Sequence, residues 1–176
     1  ALDDEDGNIT SSVTVTGASA VNLNRKGSYT VSYSVSDKAG NSTSVDRVIN
    51  VVNDAEVFAG SYATCTDSST TFALVANFAA SCSTSDTINN LVKVVNFGAF
   101  DSTGTYPIYI KFDGVAAGSA ITLNTNNQFV GAVAQVTQIY PTGTGVVSGT
   151  APTSFDITYQ WTDGTATDIA VSKYRR

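Results

Sequence analysis

The chain has 176 residues, with 9 Lys and Arg against 15 Asp and Glu, no His and a formal charge of −6. That length suits one large or two small domains with enough apolar residues to bury a core, and the scattered cations, which nowhere form a basic cluster apart from Arg175 and Arg176 at the far end, argue against a phosphate-tracking surface and so against nucleic acid as a partner. No apolar run nears the roughly 20 residues that span a bilayer as a helix, while Ser, Thr, Asn and Gly fill the polar positions as in an exported β-protein.

The first distinctive stretch is LDDEDGNIT, residues 2–10. It reads either as a calcium loop or as a turn. A helix–loop–helix calcium site needs glycine sixth and a bidentate Glu twelfth. With Gly7 sixth, Leu2 is first and Val13 twelfth, so the pattern fails at both ends. SVTVTG, residues 12–17, is a short strand, and NRKG, residues 24–27, a turn. In SYTVSYSV, Tyr29, Val31, Tyr33 and Val35 alternate with Thr30, Ser32 and Ser34, the period of a strand with one buried face. DKAGN, residues 37–41, supplies Gly and Asn for positive φ and an Asp that caps its own turn, and SVDRVINVV returns as a second strand. Together they predict a hairpin.

The succession DDEDGNIT, VTVTG, KGSYTVSYSVSDKAGNS and RVINVV resembles the bacterial surface immunoglobulin-like domains, whose signature is an acidic DG-x-IT segment, a G-x-Y-x-V-x-Y strand and a D-x-AGN hairpin. The resemblance covers residues 1 to about 53 and departs from the family in lacking the opening strand that precedes the acidic segment. It implies that the acidic segment is a turn leading into a strand, with Gly7 giving backbone freedom and Asp6 or Asn8 satisfying turn amides. Asp3, Asp4 and Asp6 then hold at most an adventitious calcium ion, and no metal site is expected. The start at Ala1, without an initiator Met or a signal-peptide pattern, suggests a mature or trimmed product.

VNDAEVF, residues 52–58, is a short polar junction without a Pro/Gly-rich spacer, which predicts two domains coupled end to end, 1–54 and 55–176. Beyond it, GSYATCT, TFALVANF, NLVKVVNFGAF, YPIYIKF, AITLNT, FVGAVAQVTQIY, TGVVSG, TSFDITYQWTD and ATDIAVSKY are short strands separated by Gly, Asn, Asp and Pro. Such a meander suits a small closed up-and-down barrel, with a second sandwich as the alternative. Cys65 and Cys82 fall in this region and are the only cysteines. They are too few for structural zinc and too far apart for a Cys-x-x-Cys redox pair. A disulfide between two strands is the preferred reading and two unpaired thiols the other.

The opening GSYATC, the central NLVKVVNFGAF, AITLNTNNQ, GTGVVSG and the closing FDITYQWTDGTATDIAVSKYRR resemble, in strand order and spacing, the calycin-like β-barrel domains that follow immunoglobulin-like domains in exported lipoproteins of the Bacteroides type. That resemblance implies a surface protein of uncharacterised function, anchored through a lipid-bearing cysteine upstream of Ala1. The expected fold is therefore all-β, an immunoglobulin-like β-sandwich followed by a small antiparallel calycin-like β-barrel.

Catalytic constellations are scarce. Without His, neither a Ser-His-Asp nor a Cys-His arrangement exists. A glycosidase needs two carboxyl groups across a cleft, yet the only glutamates are Glu5 in the acidic turn and Glu56 at the junction, and Asp101, Asp113 and Asp163 read as turn-capping residues. GTGVVSG lies between strands with no helix to present its amides to a phosphate. Binding is the better expectation. In FDITYQW, Phe155, Ile157, Tyr159 and Trp161 share one face, the barrel core; Trp161, last in line, reads first as core or rim packing, with stacking on a sugar at the rim as the alternative. Tyr106, Tyr109 and Tyr140, beside Pro107 and Pro141, are further ligand-binding candidates. The expected protein is a non-catalytic, lipid-anchored surface component without a cofactor, binding a glycan or another surface protein. A purely structural or protein-interaction module is the alternative, and a carboxylate-based hydrolase the weakest reading.

Overall fold

The computed structural model describes residues 1–70, 75–101, 103–123, 142–148, 154–162 and 167–176. The chain divides into two compact units, Ala1–Val52 and Asn53–Arg176. Both are built from strands and short 3₁₀ turns, and no α-helix occurs among the described residues.

In the first unit, β1 (Leu2–Asp3) and β2 (Gly7–Asn8) form a two-residue ladder, and β3 (Thr14–Thr16), β4 (Gly27–Ser36) and β5 (Ser42–Val51) form an antiparallel sheet in that order. The predicted hairpin is present: Asp37 and Asn41 close it, the Asp37 carboxylate accepting from both the amide and the side chain of Asn41 at 2.8 and 2.7 Å. Period-2 alternation puts Tyr29, Val31, Tyr33 and Val35 on one face, where Val15, Tyr33 and Val45 line up across the three strands. Val31 is buried, but Val45 is 67 % exposed, so this face is only partly covered within its unit.

The second unit is a closed eight-stranded antiparallel barrel, which settles the choice against a second sandwich. Its strands are β6 (Gly60–Ser69), β7 (Val75–Thr84), β8 (Leu91–Val95), β9 (Ile108–Phe112), β10 (Ala120–Leu123), β11 (Thr142–Ser148), β12 (Ser154–Thr162) and β13 (Thr167–Tyr174). Each pairs with its neighbours in chain order, and β13 closes on β6 from Ala170 opposite Ser69 to Lys173 opposite Thr66. Ile108, Ile110 and Phe112 from β9 and Phe155, Ile157 and Tyr159 from β12 point inward and are buried. Closure removes the sheet's free edges, and aromatic rings fill the interior: Phe58 stacks on Phe112 at 4.2 Å and Phe155 on Tyr174 at 4.5 Å.

The end of the barrel where β6 begins is plugged by the 3₁₀ turn Asp54–Phe58, which delivers the fully buried Phe58. Asn53 caps that turn through Ala55 N and also binds the loop after β7. The opposite end, where Trp161 lies one residue before the end of β12, is built differently.

Candidate functional site

Trp161 lies opposite Asp168 of β13 and is half-buried, its indole edge-on to Phe100 at 5.7 Å and 71°. Two positions earlier on the same face, Tyr159 is 1 % exposed and packs against Phe97 at 4.9 Å. Its hydroxyl donates to Asp67 Oδ1 at 3.0 Å, and the Ser172 hydroxyl donates to the same oxygen. Tyr174 lies in the same knot and accepts from Gly98 N at 3.4 Å.

The electrostatics of this knot follow from burial. Burial pushes the Asp67 carboxyl above the usual carboxylate range; the hydroxyls of Ser172 and Tyr159 pull it back in part, and the Asp168 charge adds to the rise. The Tyr159 phenol is pushed up, first by burial and then by the Asp67 charge, so it serves as a neutral donor. The arrangement joins an aromatic wall to a carboxylate ringed by hydroxyls, a chemistry of hydrogen-bonded recognition. Asp67 and Ser172 go beyond the candidates drawn from sequence. Their signal is an inverted alternation in β13: Asp168, Ala170, Ser172 and Tyr174 point inward and are buried, while Ile169 faces out at 47 % exposed.

Of the five aromatic candidates, the structure brings Trp161 and Tyr159 together. Tyr159 is a buried strut and not an exposed platform, because its register on β12 points it into the barrel. Tyr109 alternates with the buried Ile108 and Ile110, so it stands on the outer face, 38 % exposed. Tyr106 is 41 % exposed beside the turn capped by Asp101. Tyr140 and Asp163 lie outside the described residues. The expected turn role of Asp101 is visible: its carboxylate accepts from Thr103, Gly104 and Tyr106 amides.

The disulfide between Cys65 and Cys82 is corrected by the register of β6 and β7. Both thiols are free and buried. Cys65 pairs with Phe78 whereas Cys82 pairs with Gly60, so the two are offset by the four residues from 78 to 82. At ~3.3 Å per residue that is about 13 Å, beyond the ~7 Å between Cα atoms that a disulfide tolerates. Burial pushes the Cys82 thiol up to about 12 and the Cys65 thiol up as well.

The acidic segment is a turn. Asp3 Oδ1 accepts from Glu5 N and Asp6 N at 3.0 and 2.8 Å, Asp6 accepts from Lys38 N and Nζ at 2.8 and 2.9 Å, and Gly7 supplies φ +72°. With Asp37 and Asn41 these residues line an open groove of about 540 Å³, yet no group of three His, Cys, Asp or Glu side chains suited to a metal exists among the described residues. Glu5 belongs to the first unit, and Glu56, which accepts from Thr84 Oγ1 at 2.6 Å, to the second.

Comparison with known proteins places the first unit. Residues 1–51 match the family described as "Bacterial surface protein, Ig-like domain". Among solved structures, the crystal structure of the lipoprotein BT2262 from Bacteroides thetaiotaomicron is similar at 16 % identity and a TM-score of 0.37, over 96 % of this chain and 84 % of that one. No curated protein matches the chain.

Proposed function

We propose that this chain is a non-catalytic bacterial surface protein, held to its membrane by a lipid anchor, in which an immunoglobulin-like unit accompanies a calycin-like barrel that binds a glycan at its Trp161 end. Surface display is supported by the family match over residues 1–51. The glycan reading is supported by one observation: a half-buried indole at the barrel end, in contact with Phe100 and on the same inward face as a carboxylate and hydroxyls. Sugars offer an apolar ring face and a rim of hydroxyls, which such a surface matches. The stacked rings at the Phe58 end leave the interior filled there, so contact is confined to the Trp161 end. The test is a glycan array probed with the intact chain and a Trp161→Ala variant shown by circular dichroism to be folded. Specific binding lost in the variant supports the reading; specific binding that the variant keeps refutes it.

A second reading, a protein-interaction module, is favoured by β5. It is a ten-residue edge strand with an uninterrupted register to β4, and Val45 and Val48 are 67 % and 60 % exposed. Long apolar edges of this kind accept an added strand. Pull-down of neighbouring surface proteins, lost on Val45→Lys and Val48→Lys substitution, would support it.

A further inference from the structure

The barrel end beside Trp161 is stoppered by a piece of loop. Phe97, in the 3₁₀ turn Phe97–Ala99 after β8, is 1 % exposed, with its ring 4.9 Å from Tyr159 and 6.3 Å from Tyr174, tilted 33° to the latter. The backbone that carries it is held in an unfavourable form. Asn96, Gly98 and Ala99 have φ of 60°, 57° and 64°, so three residues out of four consecutive ones are left-handed, and Ala99 brings a Cβ into a region that penalises one. Gly98 cannot be replaced without displacement, since a Cβ there would lie 2.5 Å from Tyr159 Oη. The hydrogen bond from Gly98 N to the barrel is long, 3.4 Å to Tyr174 Oη. Tyr159, against which Phe97 packs, donates through its hydroxyl to the Asp67 carboxylate, which also accepts from the Ser172 hydroxyl.

We propose that the seat of Phe97 is a binding site for a pyranose ring, and that residues 96–100 are a displaceable stopper that occupies it in the form seen here. The inference rests on the glycan reading above and deepens it. A pyranose is a six-membered ring close to a phenyl ring in size; its apolar face would replace Phe97 against Tyr174 and Tyr159, and its hydroxyls would donate to Asp67 and Ser172. The backbone strain of the closed stopper lowers the cost of opening it, and the fraction of open molecules sets the apparent affinity.

The experiment compares wild type, Phe97→Ala, Ala99→Gly and Trp161→Ala on a printed oligosaccharide array, followed by titration with the sugars retained. Phe97→Ala removes the competitor and should bind at least about tenfold more tightly. Ala99→Gly relieves the strain and favours the closed form, so it should melt higher and bind about fivefold more weakly. A stopper with a merely structural role would move melting without moving affinity. Binding by Phe97→Ala alone, with none by wild type, also supports the proposal. If wild type binds, Trp161→Ala loses binding and the Phe97 and Ala99 variants match wild type, the stopper is overturned while the glycan reading stands. No binding by wild type or by Phe97→Ala overturns both. Should Phe97→Ala fail to fold, Ala99→Gly decides.

Discussion

Asn53 is the residue whose removal should cost the barrel most for its size. It is 4 % exposed and makes four hydrogen bonds within the second unit. Its Oδ1 accepts from Ala55 N at 3.0 Å and Asn90 N at 2.9 Å, and its Nδ2 donates to the carbonyls of Ser85 at 2.9 Å and Ile88 at 3.0 Å. One side chain thereby caps the turn that carries Phe58 and pins the loop between β7 and β8. Asn53→Ala deletes all four bonds. At about 1 kcal/mol net each the sum is about 4 kcal/mol, reduced to about 3 kcal/mol because the Ser85 and Ile88 carbonyls belong to a loop that water can reach. That is a large share of the 5–15 kcal/mol typical of a domain. Asn53→Asp separates the two halves of the argument: it keeps the acceptor for Ala55 and Asn90 but turns an oxygen toward two carbonyls, and should be at least as damaging near neutral pH. The assay is urea denaturation followed by the fluorescence of Trp161, the only tryptophan and a reporter on the barrel. A loss below about 1 kcal/mol for Asn53→Ala, or an Asn53→Asp protein as stable as wild type, would refute the assignment.

The pH dependence of the barrel should carry the signature of Asp67, which faces Tyr159 from β12 and Ser172 and Asp168 from β13. Its folded carboxyl is raised by burial, so the unfolded chain loses that proton at a lower pH than the folded one. Its contribution to stability is therefore full below the unfolded value and is lost as pH rises through the folded value. Asp67→Asn should change melting little at about pH 3 and raise it toward about pH 7; a difference flat in pH would count against the buried carboxyl. Asp101 runs the other way: burial raises it, but the Thr103 hydroxyl and the amides of Tyr106, Thr103 and Gly104 outweigh burial, so its contribution fades on acidification. Cys65 and Cys82 should resist iodoacetamide in the native protein and both react after denaturation without reductant; recovery of no thiol would restore the disulfide. Calcium or a chelator should leave the melting temperature unmoved, because the Asp3 and Asp6 carboxylates are engaged by amides and Lys38, and a rise above about 2 °C with calcium would show otherwise.

Local pattern made much of this fold readable. The alternation through Tyr29, Val31, Tyr33 and Val35 and the DKAGN turn specify β4, β5 and their hairpin from neighbours in sequence, and Phe155, Ile157 and Tyr159 declare the inner face of β12 in the same way. Trp161 was legible as a residue at a strand end. What escaped depends on strands meeting at a distance. Asp67 and Ser172 touch across the closing seam, 105 residues apart, and nothing in TDSST or TDIAVS taken alone reveals that they share a hydrogen bond. Phe97 reads as one more apolar residue after a strand until the left-handed backbone of Asn96, Gly98 and Ala99 turns its ring inward. The disulfide failed for a similar reason: cysteine count and compartment say nothing of register, and register places the two thiols four residues apart along the ladder.

The seam between β13 and β6 has a consequence for how the barrel comes into being. The strand that completes the ring is the last of the eight, so while the polypeptide is being made or threaded through a translocation channel, the sheet exists as an open ribbon with raw edges. Most of the core can collapse during that interval, but Tyr174 and the Arg175 ion pair with Asp156 at 2.5 Å arrive only when β13 is complete. Once the ring shuts, its two ends lie side by side, with the Arg176 guanidinium on the carbonyls of Val57 and Ala59. The β-ladder then has no first member, and a version of the barrel opened in a different turn, with residue 176 joined to residue 57 by a short linker, should assemble the same ring from a different starting strand.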